Sequence, residues 1–516
     1  MMMNWNEEYD VLVVGSGGGG VTGAYTAARE GLTVNLIEAT DKFGGTTAYS
    51  GGGGVWFPCN PALQRAGTDD TIEDALEYYH AVVGDRTPRE LQDTYVRGGG
   101  PLIEYLEQDE NLKFEMLPWP DYFGKAPKAR LDGQRHTMPT PLPVSQAPEL
   151  REVVRGPLDF DRLGIPQPDD FFIGGRALIA RFLKAIEKYP NAKLTLNSPL
   201  VELVVEEGAV VGAIVERDGQ RVAIRARSGV ILAAGGFEAN DELRQKFGVP
   251  GHARDTMGPG ANLGKAHQAA IAVGADTDLM DQAWWSPGLT HPDGRSAFAL
   301  WFTGGIFVNQ DGARFVNESA PYDRLGRDVI AQMEQGTLTL PYWMIYDDKE
   351  GERPPVQAPN VSMTATEKYV DAGLWHTADT LEALAEKIRV PSEILVETVA
   401  RFNKMVENGV DEDFGRGDEA YDRAFSGGEP PLVTIEQGPF HAAAFGISDL
   451  GTKGGLRTDT AARVLDTSHN PIPGLYAAGN TMAAPSGTVY PGGGNPIGTS
   501  MLFSHLAVQK ILSERE

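Results

Sequence analysis

The sequence has a single cysteine, Cys59, among its 516 residues. One cysteine excludes disulfides within the chain, cysteine-ligated iron–sulfur clusters and the C-x-x-C-H attachment of haem. We interpret Cys59 as a small, unreactive side chain. No metal site is predicted.

Long apolar runs are also missing. None reaches the ~18 residues that a helix needs to cross a membrane. The first ten residues carry acidic side chains where a signal peptide has positive ones. We therefore expect a soluble, cytoplasmic protein without a transmembrane segment, while peripheral contact with a membrane surface stays open.

Positive charge is scarce, because 45 Lys and Arg stand against 71 Asp and Glu and the formal net charge is −26. Such an acidic surface argues against nucleic acid and anionic lipid as partners and favours a neutral or apolar substrate. The length exceeds what one hydrophobic core supports, so two or more domains are expected.

What the chain does contain is a strand, turn, helix and strand in register at residues 9–38. A buried strand at 11–14 is followed by Gly15, Gly17 and Gly20 in the G-x-G-x-x-G spacing, and a second strand at 34–37 ends in Glu38. The glycines allow a tight turn, close approach to a pyrophosphate and close helix packing, and the acid suits a ribose. The pattern predicts a dinucleotide site.

A second glycine segment follows at residues 41–58, where Gly44, Gly45, Thr46 and Thr47 precede Ser50 and four more glycines. Such a backbone can press against a flat ring or a phosphate, and a flexible loop is the alternative interpretation. A glycine–threonine segment directly after the ribose acid is typical of FAD proteins. The segment resembles the flavoproteins of the fumarate reductase and succinate dehydrogenase superfamily.

The rest of the chain divides at about 281, where tryptophans and phenylalanines crowd together, and at 448, where the first pattern resumes. Apolar runs at 201–215, 222–225, 230–233 and 475–477 predict further strands, and a helix is predicted from 498 to about 512. We predict an α/β fold, a Rossmann-like FAD-binding domain with an inserted α+β catalytic domain. The domains are 1–280 (FAD-binding), 281–448 (catalytic) and 449–516 (FAD-binding, return segment).

The superfamily resemblance implies FAD as the cofactor. We expect non-covalent binding, since residues 42–58 contain no histidine, which covalent members of the superfamily carry there. The predicted cofactor-binding residues are Gly15, Ser16, Gly17, Gly18, Gly19, Gly20, Glu38, Ala39, Gly44, Gly45, Thr46, Thr47, Ser50, Gly51, Gly52, Val204, Ala234, Gly235, Asn262, Gly479, Asn480, Gly494, Pro496 and Ile497.

The substrate region has no anion clamp, because residues 475–504 contain no arginine, lysine or histidine. Fumarate reductases clamp a dicarboxylate with such residues, so a neutral ketone suits this chain better. The proline-rich segment 111–172 is interpreted as either the lining of a substrate cleft or a surface-packed loop. The motifs FGGTTAYSGG, PDYF, NESAPYD, SDLGTKGGL and TVYPGGGNPIGT resemble the 3-ketosteroid Δ1-dehydrogenases over the whole chain.

This resemblance implies roles for four residues. Tyr122 of PDYF would lie in the cleft, and Tyr322 of NESAPYD would take a proton from C2 of the steroid A ring. Tyr490 and the backbone N–H of Gly494 would donate to the C3 carbonyl oxygen, while hydride leaves C1 for flavin N5. The resemblance also implies a quinone as electron acceptor and a place in steroid degradation.

Three alternatives remain. One is a 3-ketosteroid Δ4-(5α)-dehydrogenase, although Tyr322 and Tyr490 favour Δ1 chemistry. Another is a fumarate-reductase-like enone reductase, and the third is a flavin-carrying electron-transfer or binding protein. Asp449 and Lys453 are interpreted as holding either the flavin or the domain junction.

Overall fold

The computed structural model describes residues 4–166 and 170–515. Two compact units form within it. The first comprises Met1–Val249, Gly258–Ala283 and Gly451–Glu516, and the second comprises Pro250–Met257 and Trp284–Leu450. The fold class is α/β, as predicted. The domain division at 280 and 448 stays a prediction, and it differs from these units in assigning 250–257 to the first domain.

The strands and helices are numbered in chain order. The strands are β1 (Glu7–Val14), β2 (Val34–Ile37), β3 (Val55–Trp56), β4 (Phe114–Met116), β5 (His136–Pro139), β6 (Leu142–Pro143), β7 (Phe171–Phe172), β8 (Ala192–Thr195), β9 (Leu200–Glu206), β10 (Ala209–Arg217), β11 (Gln220–Leu232), β12 (Thr277–Asp278), β13 (Ala283–Thr290), β14 (Ser296–Phe298), β15 (Ile306–Val308), β16 (Tyr342–Asp347), β17 (Trp375–Ala378), β18 (Phe440–Thr452), β19 (Gly455–Leu456), β20 (Arg463–Leu465) and β21 (Pro471–Ala477).

The α-helices are α1 (Gly18–Arg29), α2 (Gly45–Tyr49), α3 (Pro61–Arg65), α4 (Ile72–Val83), α5 (Arg89–Leu106), α6 (Leu158–Leu163), α7 (Gly174–Ile186), α8 (Asp241–Phe247), α9 (Lys265–Ala272), α10 (Tyr322–Glu334), α11 (Thr366–Asp371), α12 (Leu381–Ile388), α13 (Ser392–Asn408), α14 (Ala420–Ala424) and α15 (Asn495–Ser513). Short 3₁₀ turns cover Val144–Gln146, Pro148–Arg151, Ala253–Asp255, Asp348–Glu350 and Gly479–Thr481.

The first unit is built on a sheet of order β20-β21-β11-β1-β2-β8, in which β1 pairs in parallel with both β2 and β11. Val11, Leu12 and Val13 of β1 are fully buried, because helices cover both faces of such a parallel sheet. Parallel neighbours need a crossover, and α1 supplies it between β1 and β2. The carboxyl ends of β1, β2, β11 and β21 therefore meet at one edge, the usual place for a nucleotide.

The strand predictions are confirmed with one change. The runs at 222–225 and 230–233 belong to a single strand, β11, which pairs antiparallel with β10 at one end and parallel with β1 along most of its length. The helix predicted from 498 begins earlier, at Asn495. It packs on α1 through small residues: a Cβ added at Gly19 would lie 2.4 Å from the Ser500 hydroxyl oxygen.

The second unit has its own sheet, of order β14-β13-β18-β16-β15, with β17 added on β18. β16 and β18 pair antiparallel from Tyr342 opposite Phe445 to Asp347 opposite Phe440. The core beside them is aromatic, and Phe307 contacts both Tyr342 and Phe445 at ring-centroid distances of 4.9 Å.

The proline-rich segment is partly regular. It contains β4, β5, β6, α6 and β7, and β3, β5 and β4 form a three-stranded sheet in that order. Residues 167–169 of the segment lie outside the described residues. Among the described residues, no helix is long and apolar enough to cross a membrane.

Candidate active site

The turn between β1 and α1 accepts only glycine at two positions. Gly15 has φ +100°, and a Cβ there would lie 2.3 Å from the Ala233 carbonyl oxygen. A Cβ at Gly20 would lie 1.9 Å from the Gly15 carbonyl oxygen. Gly17 is the N-cap of α1 and brings no side chain, so the start of the helix stays open to a phosphate group.

Glu38 is held by hydroxyl and amide donors directly behind that turn. The Ser16 hydroxyl donates to Glu38 Oε2 at 2.5 Å, and the Thr40 amide and hydroxyl donate to Oε1 at 3.0 and 2.9 Å. The carboxyl is 7 % exposed. A carboxylate offers about four acceptor positions, so Glu38 retains the capacity to accept from a ribose hydroxyl.

The glycine–threonine segment packs against the dinucleotide turn. Thr47 Oγ1 accepts from the Gly18 amide at 3.1 Å, and the Gly44 amide donates to the Ser16 hydroxyl at 2.9 Å. The segment forms α2, which starts after Gly44 at φ +125°. The flexible-loop interpretation is therefore wrong, because these contacts tie the segment to the start of α1.

A buried carboxyl that the sequence did not indicate joins this region. Glu238 is fully buried, and its Oε1 accepts from the Asn262 side-chain amide at 2.5 Å. The same amide donates to Thr46 Oγ1 at 3.0 Å. Glu238 follows the glycines after β11, and only its position behind the predicted Gly235 could have singled it out. Through Asn262, these hydrogen bonds connect the glycine–threonine segment to the loop that precedes α9.

The start of α15 lies against the start of α1. Gly494, the N-cap of α15, has φ +90°, and a Cβ there would lie 2.6 Å from the Gly54 carbonyl carbon. Ile497 in the first turn of α15 approaches within 3.5 Å of the Cβ position of Gly18. Two helix N-termini thus converge, which favours negative charge between them.

Other predicted cofactor residues are more scattered. Gly479 packs on α15, and the Asn480 carbonyl accepts from His267 Nε2 at 3.2 Å. Val204 is buried in β9 beside Ile214. The remaining predicted residues lie in the first turns of α1 and α15, directly after β2, just beyond β11 and in the glycine–threonine segment: Gly19, Pro496, Ala39, Ala234, Gly45, Ser50, Gly51 and Gly52. Contact of all these residues with FAD stays a prediction.

Three of the four residues assigned to catalysis lie together in the first unit. The Tyr122 and Tyr490 ring centroids are 5.1 Å apart, and the two side chains are 1 % and 5 % exposed. The Tyr122 amide donates to the Pro491 carbonyl oxygen at 3.0 Å, in the turn that leads to Gly494. This backbone hydrogen bond therefore fixes the segment of Tyr122 against the turn that follows Tyr490.

The fourth residue, Tyr322, belongs to the second unit. It is the first residue of α10, is 6 % exposed, and its ring meets Phe298 edge-on at 4.8 Å. Tyr322 thus lies in the first turn of α10, at the positive end of the helix dipole.

A buried ionic cluster supports the Tyr122 segment, and sequence analysis did not detect it. Arg135 is fully buried between Asp121, at 2.8 Å, and Asp70, at 2.7 Å. Asp121 also accepts from Trp56 Nε1 at 2.8 Å. Burial raises the pKa of Asp121 to about 6, although Arg135 opposes this. The partners are separated by up to 79 positions in sequence, so no local pattern joins them.

Three histidines of the first unit are neutral structural groups. Burial lowers the pKa of His136, His267 and His505 to about 4 in each case. Lys453 is buried, and its ammonium donates to the Val489 carbonyl oxygen at 3.1 Å, next to Tyr490. Asp449 instead accepts from the Thr256 hydroxyl at 2.6 Å within the second unit.

Comparison with known proteins adds to this geometry. Residues 10–497 match the family described as FAD binding domain. A 3-oxosteroid 1-dehydrogenase of Mycolicibacterium smegmatis is 36% identical, with 98% of this chain and 97% of that protein covered. One of Rhodococcus opacus is also 36% identical, with 98% and 99% covered. The crystal structure of a 3-ketosteroid Δ1-dehydrogenase from Sterolibacterium denitrificans, in complex with 1,4-androstadiene-3,17-dione, has a TM-score of 0.90 at 29% identity, covering 99% of this chain and 100% of that one.

Proposed function

We propose that this oxidoreductase desaturates the C1–C2 bond of 3-ketosteroids. The chain belongs to the FAD-binding domain family and, within it, to the 3-oxosteroid 1-dehydrogenases. The observation that carries the proposal is the relatedness of the chain over 98% of its length to those enzymes. The pairing of Tyr122 with Tyr490 beside the start of α15 supports it. The reaction would remove a hydride from C1 and a proton from C2.

The residues at the edge of the first sheet fit FAD. The open start of α1 suits the pyrophosphate, Glu38 suits a ribose, and the glycines against Thr47 allow a flat ring to approach the backbone. When bound without a covalent link, FAD would supply the two-electron acceptor for the C1 hydride. The start of α15 would favour the negative charge that reduction creates.

Tyr490 and the Gly494 amide are assigned the C3 carbonyl oxygen. Loss of a C2 proton turns the ketone into an enolate, and donors placed on the oxygen stabilise its charge, each by ~3 kcal/mol in other enzymes. Burial of Tyr490 to 5 % exposure strengthens such a bond, because little water competes for the oxygen.

Tyr322 is assigned the C2 proton. A free tyrosine has a pKa of about 10, so a base that works near neutral pH needs a stabilised phenolate. The position of Tyr322 at the first residue of α10 supplies part of this stabilisation. Tyr122 is assigned to the substrate cleft beside Tyr490, where a further donor would favour an anion.

The test uses two steroids anaerobically with the FAD-loaded protein. Androst-4-ene-3,17-dione should bleach the oxidised flavin absorbance, since its C1–C2 bond is saturated while C4–C5 is already double. A 5α-saturated 3-ketosteroid should yield the 1-ene by NMR. A 4-ene product would instead indicate the Δ4-(5α)-dehydrogenase, and a flavin that stays oxidised with both steroids would refute steroid dehydrogenation.

The residue assignments are tested with phenylalanine variants. Tyr490→Phe should lower kcat by about 10²–10³-fold, in the range observed for loss of one positioned donor. Tyr322→Phe should lower kcat by about 10²–10⁴-fold, in the range observed for loss of a general base. Tyr9→Phe, which removes only a hydroxyl bonded to Glu7, is the matched control and should keep wild-type kcat. Equal activity of Tyr490→Phe and the control would refute the oxyanion assignment.

The electron acceptor and the location are also proposed. A quinone would take the electrons from the reduced protein in the cytoplasm, at or near a membrane. Reoxidation by a water-soluble quinone in stopped flow should be faster than by oxygen, and equal rates would contradict this acceptor.

A further inference from the structure

Trp119 lies three residues before Tyr122 and donates to it. Its indole Nε1 is 3.1 Å from the Tyr122 hydroxyl oxygen. The same ring lies against the glycine turn of the Tyr490 segment, because a Cβ added at Gly493 would be 2.8 Å from Trp119 Cδ1. The indole therefore contacts both the phenol and the turn that leads to Gly494.

The direction of this hydrogen bond follows from the chemistry of the groups. An indole N–H only donates, so the Tyr122 oxygen must be the acceptor. A phenol that accepts through its oxygen keeps its own O–H proton for a different partner. We propose that Trp119 is a positioning residue that commits Tyr122 to act as a hydrogen-bond donor toward the anion formed in the reaction, an inference that rests on the proposed function.

The direction of this hydrogen bond matters because dehydrogenation forms negative charge on oxygen. A donor stabilises a phenolate or an enolate, whereas an accepting lone pair would repel it. Trp119 also polarises the Tyr122 O–H, since a phenol that accepts a hydrogen bond is a stronger donor. Replacing the indole by a ring without an N–H would remove the donor that fixes the Tyr122 oxygen as an acceptor.

The surroundings hold both partners in this arrangement. Asp121, between them in sequence, is fixed by Arg135 and by the Trp56 indole. The Tyr122 amide is bonded to the Pro491 carbonyl oxygen. His136 packs on the Trp119 ring at 5.9 Å, and burial lowers the pKa of His136 to about 4, so this neighbour is uncharged at neutral pH.

The hydrogen bond is tested without any activity measurement. In the FAD-loaded protein, the indole N–H resonance assigned by its loss in Trp119→Phe should move upfield in Tyr122→Phe, because the acceptor is gone. Trp343→Phe, in the second unit, is the matched control for a tryptophan substitution elsewhere. An indole resonance that Tyr122→Phe does not move would overturn the inference.

Its catalytic meaning is tested by a double-mutant cycle. Trp119→Phe should lower kcat about tenfold with little change in KM, the factor that one ordinary hydrogen bond represents. In the Tyr122→Phe background the same substitution should change nothing further. Additive losses would overturn the inference, since Trp119 would then act by packing on Gly493. A wild-type protein that dehydrogenates no 3-ketosteroid would refute the proposed function, while the indole resonance still decides the bond.

Discussion

Gly494→Ala should destabilise the first unit for two separable reasons. The residue has φ +90°, and an L-residue in this left-handed region costs about 1–2 kcal/mol. Its Cβ would also lie 2.6 Å from the Gly54 carbonyl carbon and oxygen and from Val55 Cα, all backbone atoms that cannot rotate away. Overpacking of this kind adds about 1–3 kcal/mol, so the free energy of unfolding should fall by about 2–5 kcal/mol.

A second glycine is a matched control for the cost of the left-handed backbone conformation alone. Gly31 has φ +84°, and a Cβ there would meet no heavy atom within 4 Å. Gly31→Ala should therefore cost only the backbone term, about 1–2 kcal/mol. The difference between the two variants measures the crowding at the start of α15.

Urea unfolding at one fixed FAD concentration, followed by circular dichroism, measures both variants, since bound FAD itself adds stability. Equal costs for Gly494→Ala and Gly31→Ala would refute the crowding argument. If Gly494→Ala does not fold, Gly493→Ala replaces it, because there the close neighbour is the Trp119 side chain, which can shift. Alanine keeps the backbone N–H, so lower activity in a folded Gly494→Ala reports a displaced donor.

Three further outcomes are expected. Arg314→Met, which removes the arginine partner of buried Asp411 and one of the two arginine partners of buried Glu318, should lower the free energy of unfolding by about 3–5 kcal/mol, whereas Arg401→Met at an exposed pair should leave the urea midpoint unchanged. Glu38→Gln should weaken FAD binding about tenfold in calorimetry, because a hydrogen bond to a charged acceptor is lost; unchanged affinity would contradict its assignment. Burial raises the pKa of Asp121 from 3.8 to about 6, so the folded state holds this proton more tightly and stability falls as pH rises between those values. Asp121→Asn should remove this part of the pH dependence of the urea midpoint, and an unchanged slope would speak against it.

Local sequence patterns predicted much of the fold. The glycines at 15, 17 and 20 and the strand at 34–37 were predictable because each is fixed by neighbours within a few residues, through backbone geometry and side-chain period. Tyr490 and Tyr322 came from motif resemblance, and their chemistry stays a prediction. The helix that begins at Asn495 was predicted three residues late, because helix starts depend on N-cap geometry that glycine-rich sequence does not display.

The sequence by itself thus determined the unit of β1, α1 and β2, its glycine turn and the acid that follows it, since these depend on residues close together in the chain. Only the tertiary structure decided the contacts that join distant segments. The burial of Glu238 against Asn262 joins residues 24 positions apart, the Arg135 cluster draws on positions from 56 to 135, and the crowding of Trp119 on Gly493 joins segments several hundred residues apart. Such contacts follow from packing and desolvation of the whole unit, for which no periodicity or spacing exists in the sequence.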